Sequence, residues 1–564
     1  MVRTPGSHPG NRGSIPRSGT TIKLSKIFAI GAHPRTPQPI QMPTIIEPIQ
    51  QLITAATEEK RFQRLDPNEP KISIPTRAAV ASFIYERMRA AVDYKEEHLI
   101  RRNAIERMLR RMLSQGKREN IAENLVHELI HARYLPNNTI PQRKIAQLES
   151  IFEKYFTLLG FSQIKDVVKK NTMPGFMLGV MATEVDEFLV PPFVMHASIN
   201  AMYEVMNHRI HIEDAIEPEE RAKQIYIAAS RSLYKNDNDT LAFHLMLLYY
   251  PHWRDADSKM IREVGTNLED VRTKILKDLN HPLKEKVTPL LRKNVAYFVI
   301  LRDIIVSDPE GSWHDIREGS AFPERISARC EQNYKASRAS LHRSITRSII
   351  YLVVTKFLIF LVLEIPVDYF IRKQFDLIPI AINLLFPPSL LAIVALSTKL
   401  PDEQNTQLII ERINTIMHGK GDLIQIAKSR SRSVVLNLIF VLLYGVLFAL
   451  SFGLLIFGLQ FLKFTVVSVF IFLFFLSLVS LFAYRIRLTS QELIVTPPKK
   501  GLLRGLWSFF TLPVLQAGKW MSTRFAHINV FIFALDFIIE APFKAFIKVI
   551  EDWMDYVHEK KEEI

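Results

Sequence analysis

Four apolar runs constrain this chain more than anything else in it: residues 349–363, 377–396, 434–462 and 464–483. A helix needs about 20 apolar residues to cross a hydrocarbon core. Every run but the first approaches or exceeds that length. Ahead of them lies a charged segment that is mostly helical by its periodicity. The fold class expected is therefore all-α: a cytosolic α-helical domain, a helical transmembrane domain and C-terminal amphipathic helices. The divisions read as 42–345 for the cytosolic domain, 346–490 for about four spans, and 491–564 for interface or docking helices. Residues 1–41, rich in Gly, Pro, Ser, Thr and Arg, have the composition of a disordered segment. Gly13-Ser14-Ile15-Pro16 is also what a transfer-RNA T-arm encodes in this frame, so 1–41 reads equally as a mis-assigned extension ahead of Met42.

Charge orders the spans. Arg338, Arg343 and Arg347 precede the first run, and Lys399, Arg412, Lys420, Lys428, Arg430 and Arg432 fill the stretch between second and third. Arg485, Arg487, Lys499 and Lys500 follow the fourth, whereas the remaining connections hold only Arg372, Lys373 and Lys463. Basic residues concentrate on the cytoplasmic side of membrane proteins. The pattern gives a multi-pass protein of the cell membrane with both termini cytoplasmic. Pro387-Pro388 in the second run also allows the first two to form a re-entrant hairpin. The net charge of +15 then reads as attraction to the bilayer and its anionic headgroups, not to nucleic acid. Cys330 is the sole cysteine, which excludes an intrachain disulfide and any CxxC metal or redox pair.

In the soluble half, residues 75–116 read as one long helix with Val80, Phe83, Ile84, Met88, Ala91 and Val92 at three- and four-residue intervals. Its second half is basic: Arg101, Arg102, Arg107, Arg110 and Arg111. That face is expected to be solvated and partly balanced by Glu96, Glu97 and Glu106. Asn236-Asp237-Asn238-Asp239 marks a turn or helix cap between two further helices.

One short motif carries chemistry. His127-Glu128-Leu129-Ile130-His131 matches HExxH on an expected helix, where imidazoles at i and i+4 share one face and can hold zinc. Over those five residues it resembles the zincins. The resemblance implies His127 and His131 as ligands, Glu128 as general base, and Glu149 or Glu153 as the third ligand. The alternative is an amphipathic helix with Leu125, Leu129 and Ala132 inward and the motif's polar side chains near the surface. No phosphate-binding loop, dinucleotide fingerprint or nucleophile elbow accompanies it.

The first two apolar runs carry polar interruptions: Lys356, Glu364, Asp368 and Asn383. Ionisable groups at such depth mark a functional site or a buried pair, or else lie near the interface with Lys356 snorkelling. Near the C-terminus, Asp536, Glu540, Lys544, Lys548 and Asp552 form a narrow polar stripe on an otherwise apolar helix, a surface suited to headgroups or a protein partner. The expected function is a membrane-anchored scaffold or accessory protein with no cofactor. A membrane-bound zinc metallopeptidase is the alternative, and a small transporter or channel subunit the third reading.

Overall fold

A computed structural model describes residues 47–63, 69–74, 97–116, 119–162, 167–212, 216–318, 321–359, 366, 377–396, 401–418, 424–426, 434–490, 493–495 and 511–521. The segment 1–41, the first half of the expected 75–116 helix, Glu364, Asp368 and the striped helix at 528–557 lie outside the described residues. Within them the protein is all-α, with strands confined to one short parallel pair.

The helical body opens with α1 (Glu47–Gln63), α2 (Glu97–Ser114), α3 (Ile121–His131), α4 (Arg143–Gly160), α5 (Val167–Leu189) and α6 (Phe193–Arg209). It continues through β1 (Ile210–Ile212), α7 (Pro218–Leu233), α8 (Asn238–Tyr249), α9 (Ser258–Thr266), α10 (Leu268–Leu279), α11 (Lys284–Arg292), α12 (Val295–Ser307) and α13 (Pro309–Glu318). Local chemistry sets several starts. Asp237 and Asp257 each accept a backbone N–H two or three residues into the next helix, at 3.1 Å from Thr240 and 2.8 Å from Met260. Pro218 occupies the first turn of α7, where its missing N–H costs nothing. Arg133 (φ 59°) turns the chain out of α3, with the Tyr134 and Leu135 N–H groups both bonding the Leu129 carbonyl.

Two apolar cores result. The first gathers α2 to α5, α8, α9 and α10 around Phe152, Phe243 and Trp253. The second gathers α1, α6, α7, α11 and α12 around Met202, Ile225, Phe298 and Ile304. Helix α9 crosses α4 at Gly265, where an added Cβ would stand 2.9 Å from the Leu158 carbonyl oxygen and 2.8 Å from the Phe161 Cβ. Gly265→Val is expected to force these helices apart and cost about 1–3 kcal/mol, read as a lower unfolding midpoint of the detergent-solubilised protein.

The remaining helices bind the apolar runs to this body. Helix α14 (Phe322–Ile359) is unbroken over 38 residues, about 57 Å at the α-helical rise. Its start supplies Phe322, Ile326 and Cys330 to the second core, and near its end Leu352 joins an apolar cluster with Leu391, Ile471 and Phe475. The boundary drawn at 345/346 from sequence thus falls inside one helix. Then come α15 (Leu377–Leu396), α16 (Glu403–Met417), β2 (Ile424–Ile426), α17 (Val434–Phe461) and α18 (Val466–Ser490). Although α16 lies between apolar runs, its Ile409, Ile413, Ile416 and Met417 complete the second core. Strand β2 pairs in parallel with β1, Ile210 opposite Ile424. Beyond α18, Asn405 donates to the Leu493 carbonyl and accepts from the Val495 N–H.

Helices α17 and α18 contain stretches long and apolar enough to cross a membrane, Leu438–Phe461 and Val466–Tyr484. Much of the α17 surface is bare: Val441, Phe457 and Phe461 are 71%, 71% and 84% exposed. A helix apolar on every side does not remain in water unaided. Residues 511–521 form a helix against α18, with Val514 buried and Trp520 outward.

Candidate functional site

The HExxH residues sit on the last turns of α3. Leu125, Leu129 and Ala132 face the core, as an amphipathic helix requires, and His127, Glu128 and His131 line a surface pocket with Arg111, Gln115 and Asn124. Two acids expected in a zinc site are engaged elsewhere. The Glu128 carboxylate pairs with Arg111. Glu149 accepts the Ala122 N–H at 3.1 Å, where it meets the positive end of α3. His127 lies 3.9 Å from Glu123. Among the described residues no third ligand converges with His127 and His131.

The expected balance by Glu106 is present, with Arg110 solvated beside it, but Arg101, Arg102 and Arg111 are drawn off that face. Arg101 pairs with Asp186, and Arg102, 1% exposed, reaches Glu106, Asp237 and Asp239. Three of the five, Arg111 included, are spent on ion pairs that join α2 to its neighbours; the Glu106–Arg110 pair stays on the helix surface. The sequence showed the charges but not their distant partners.

In the apolar layer, the structure brings together Lys356 of α14 and Asn383 of α15. The Lys356 ammonium donates to the Asn383 Oδ1 at 2.9 Å and stands 4.8 Å from the Phe475 ring centroid of α18. Both polar residues are 1% exposed. Their contact is thus interhelical, between three helices of the apolar cluster.

The densest constellation was not singled out from sequence. Glu187 near the end of α5, His196 in α6 and His244 in α8 converge with their ligand atoms all within 4.8 Å of one another. The His196 Nε2 lies 3.1 Å and the His244 Nε2 2.7 Å from the same oxygen, Glu187 Oε1. The other oxygen, Oε2, pairs with Arg254, whose guanidinium lies over the Phe243 ring. The imidazole rings meet edge to face, 5.0 Å between centroids at 85°. Burial holds the His244 pKa below the ordinary imidazole range, so this ring is neutral at neutral pH. Burial alone would raise the Glu187 pKa, but the two imidazoles hold it well below the usual carboxylate range. An ionised carboxylate beside a neutral imidazole is the direction these groups share.

One turn before Glu187, Glu184 anchors a second buried network. Lys154 donates to Glu184 Oε1 at 2.6 Å and to the Trp253 carbonyl at 3.0 Å. Tyr155 donates to Glu184 Oε2 at 2.7 Å and accepts from the Trp253 indole N–H at 3.2 Å. Burial and the Glu184 charge push the Tyr155 pKa well up, so the phenol stays a donor.

Residues 187, 196 and 244 match no short spacing rule, which is why a motif search passes over them. The available signals were the lone histidine in the apolar helix Asn238–Tyr249 and the acid and histidine flanking Pro191-Pro192. Compared with protein-family profiles, curated proteins and solved structures, the chain matches none.

Proposed function

We propose that this protein is an integral membrane scaffold or accessory protein whose helical body is held rigidly against the bilayer. The observation that carries this reading is α14, one continuous helix whose start is built into the second core and whose end is built into the apolar cluster. A flexible tether would leave the body free to sample orientations, whereas a helix packed at both ends gives it a set distance and tilt. The same reading accounts for α16, β2 and residues 493–495, which return to the body between or after the apolar helices. With Lys399, Arg412, Lys420, Lys428, Arg430 and Arg432 between the second and third apolar runs, the body faces the cytoplasm and the α17–α18 turn at Lys463 faces the opposite side. Labelling with a membrane-impermeant maleimide tests the arrangement in a Cys330→Ser background. Lys463→Cys is expected to react in intact cells, and Lys335→Cys, on the exposed face of α14, only after permeabilisation. Reaction of both from the same side overturns the topology. Photo-crosslinking from the body in native membranes is expected to give one recurrent partner; recovery of uncrosslinked protein alone overturns the scaffold role.

A zinc peptidase is the second reading, favoured by the shared pocket of His127, Glu128 and His131. It requires Glu128 to leave Arg111 and a third ligand to reach the two imidazoles. Zinc that disappears in His131→Ala supports it.

A further inference from the structure

We propose that Glu187, His196 and His244 form a binding site for a divalent first-row transition metal, a Zn²⁺-type ion, that clamps the two cores of the helical body together. The donor set is two neutral-nitrogen ligands and one carboxylate, a combination that suits such cations. All three side chains are more than nine-tenths buried: 4%, 6% and 1% exposed in order of sequence. Their geometry fits the ion. Zn–N and Zn–O bonds of about 2.0–2.1 Å at tetrahedral angles put neighbouring ligand atoms about 3.3 Å apart. The two nitrogen–oxygen edges here are 3.1 and 2.7 Å, within a few tenths of an ångström of that value for the first and somewhat tighter for the second. All three donor atoms lie within 4.8 Å of one another, and the His244 edge must widen by about 0.6 Å to reach about 3.3 Å.

The competing arrangement has each imidazole donating an Nε2–H to Oε1, with Arg254 neutralising Oε2. Binding the metal replaces those two hydrogen-bonded protons: each ligating Nε2 gives up its proton, which passes to its own ring's Nδ1 or leaves to solvent. The carboxylate then keeps Oε2 for Arg254, a contact that fixes the orientation of a ligating acid. The Arg254 side chain is 40% exposed, so solvent screens part of its charge while it holds Oε2.

Location says what the ion does. Glu187 and His244 lie on α5 and α8, helices of the first core, and His196 lies on α6, a helix of the second. Glu187 and His196 also flank the Pro191-Pro192 turn, where the chain passes from a helix of the first core to one of the second. A metal there joins three helices from both cores, and its removal is felt as lost stability of the body. A ligand that binds only the folded state stabilises it by mass action.

The test uses the full chain in detergent, stripped with chelator and titrated with Zn²⁺ and, separately, Co²⁺. Stoichiometric uptake, visible d–d absorption of the Co²⁺ form and a raised unfolding midpoint are expected. Uptake is expected to be lost in Glu187→Gln and His244→Ala and kept in Arg254→Gln, which removes a competing positive charge. Uptake is also expected to be kept in His131→Ala, which separates this site from the pocket on α3. No uptake, no Co²⁺ absorption in the parent, or loss in His131→Ala with retention in His244→Ala overturns the proposal. The Co²⁺ spectrum of His131→Ala, which keeps only the buried site, decides the matter even where His244→Ala fails to fold: absorption supports the proposal and none overturns it.

Discussion

Lys154→Ala is expected to destabilise the helical body by about 3–5 kcal/mol, the cost of stripping one partner from a buried ion pair. The size follows from what stays behind. Glu184 is 2% exposed and loses its 2.6 Å ammonium contact, keeping the Tyr155 hydroxyl on its other oxygen. The Trp253 carbonyl loses a donor in the same step. A carboxylate in this position then ionises only at a large desolvation cost or takes up a proton. Urea or thermal unfolding of the solubilised protein measures the loss, and Lys154→Met with Glu184→Gln supplies the control. Removing both charges is expected to recover much of the stability, because the pair as a whole contributes far less than breaking it costs. A loss below about 1 kcal/mol in Lys154→Ala would place the ammonium in water and refute this account.

The second large effect is expected in the apolar layer. Asn383→Leu removes the oxygen that accepts from the buried Lys356 ammonium at 2.9 Å, at a cost of about 1.5–3 kcal/mol for a lost hydrogen bond to a charged group. Lys356→Met, by contrast, removes the charge itself and keeps its length, so the three helices are expected to pack about as well as before. The two variants separate a polar contact kept for packing from one kept for passage of a solute. If the pair serves transport, Lys356→Met abolishes flux in liposomes while leaving stability intact. If it serves only to join α14 and α15, Asn383→Leu is the damaging change and Lys356→Met is silent in both assays. Protease resistance of the purified protein and flux in liposomes, measured side by side, read the outcome.

These two networks show where sequence reasoning reached and where it stopped. The helical class, the two most apolar helices and the cap at Asp237 are local properties, set by the 3.6-residue period and by side chains bonding backbone a few residues away. The inward face of α3 was legible for the same reason. What could not be read were the pairings across long separations. Lys154 and Glu184 are thirty residues apart, and Arg102 meets Asp237 across more than a hundred, so nothing in the local pattern links them. Basic residues on α2 therefore looked like a solvated face. The HExxH motif has the opposite history: its local condition, two histidines on one face of a helix, is met, while Glu149 is engaged at the Ala122 N–H. Lys356 and Asn383 stood out because a charge in an apolar run is conspicuous anywhere, but only the fold pairs them.

The docking of α16 into the second core has a consequence for the order of events during synthesis. Ile409, Ile413, Ile416 and Met417 fill a core that otherwise consists of residues from 49 to 330. A ribosome making this chain must deliver the whole first apolar hairpin before those four side chains exist. The second core therefore waits, with one side open, until residues 349–396 and the α16 residues behind them have been synthesised. Completion of that core is thus tied to synthesis of the apolar segment that precedes α16, not only to the residues ahead of it.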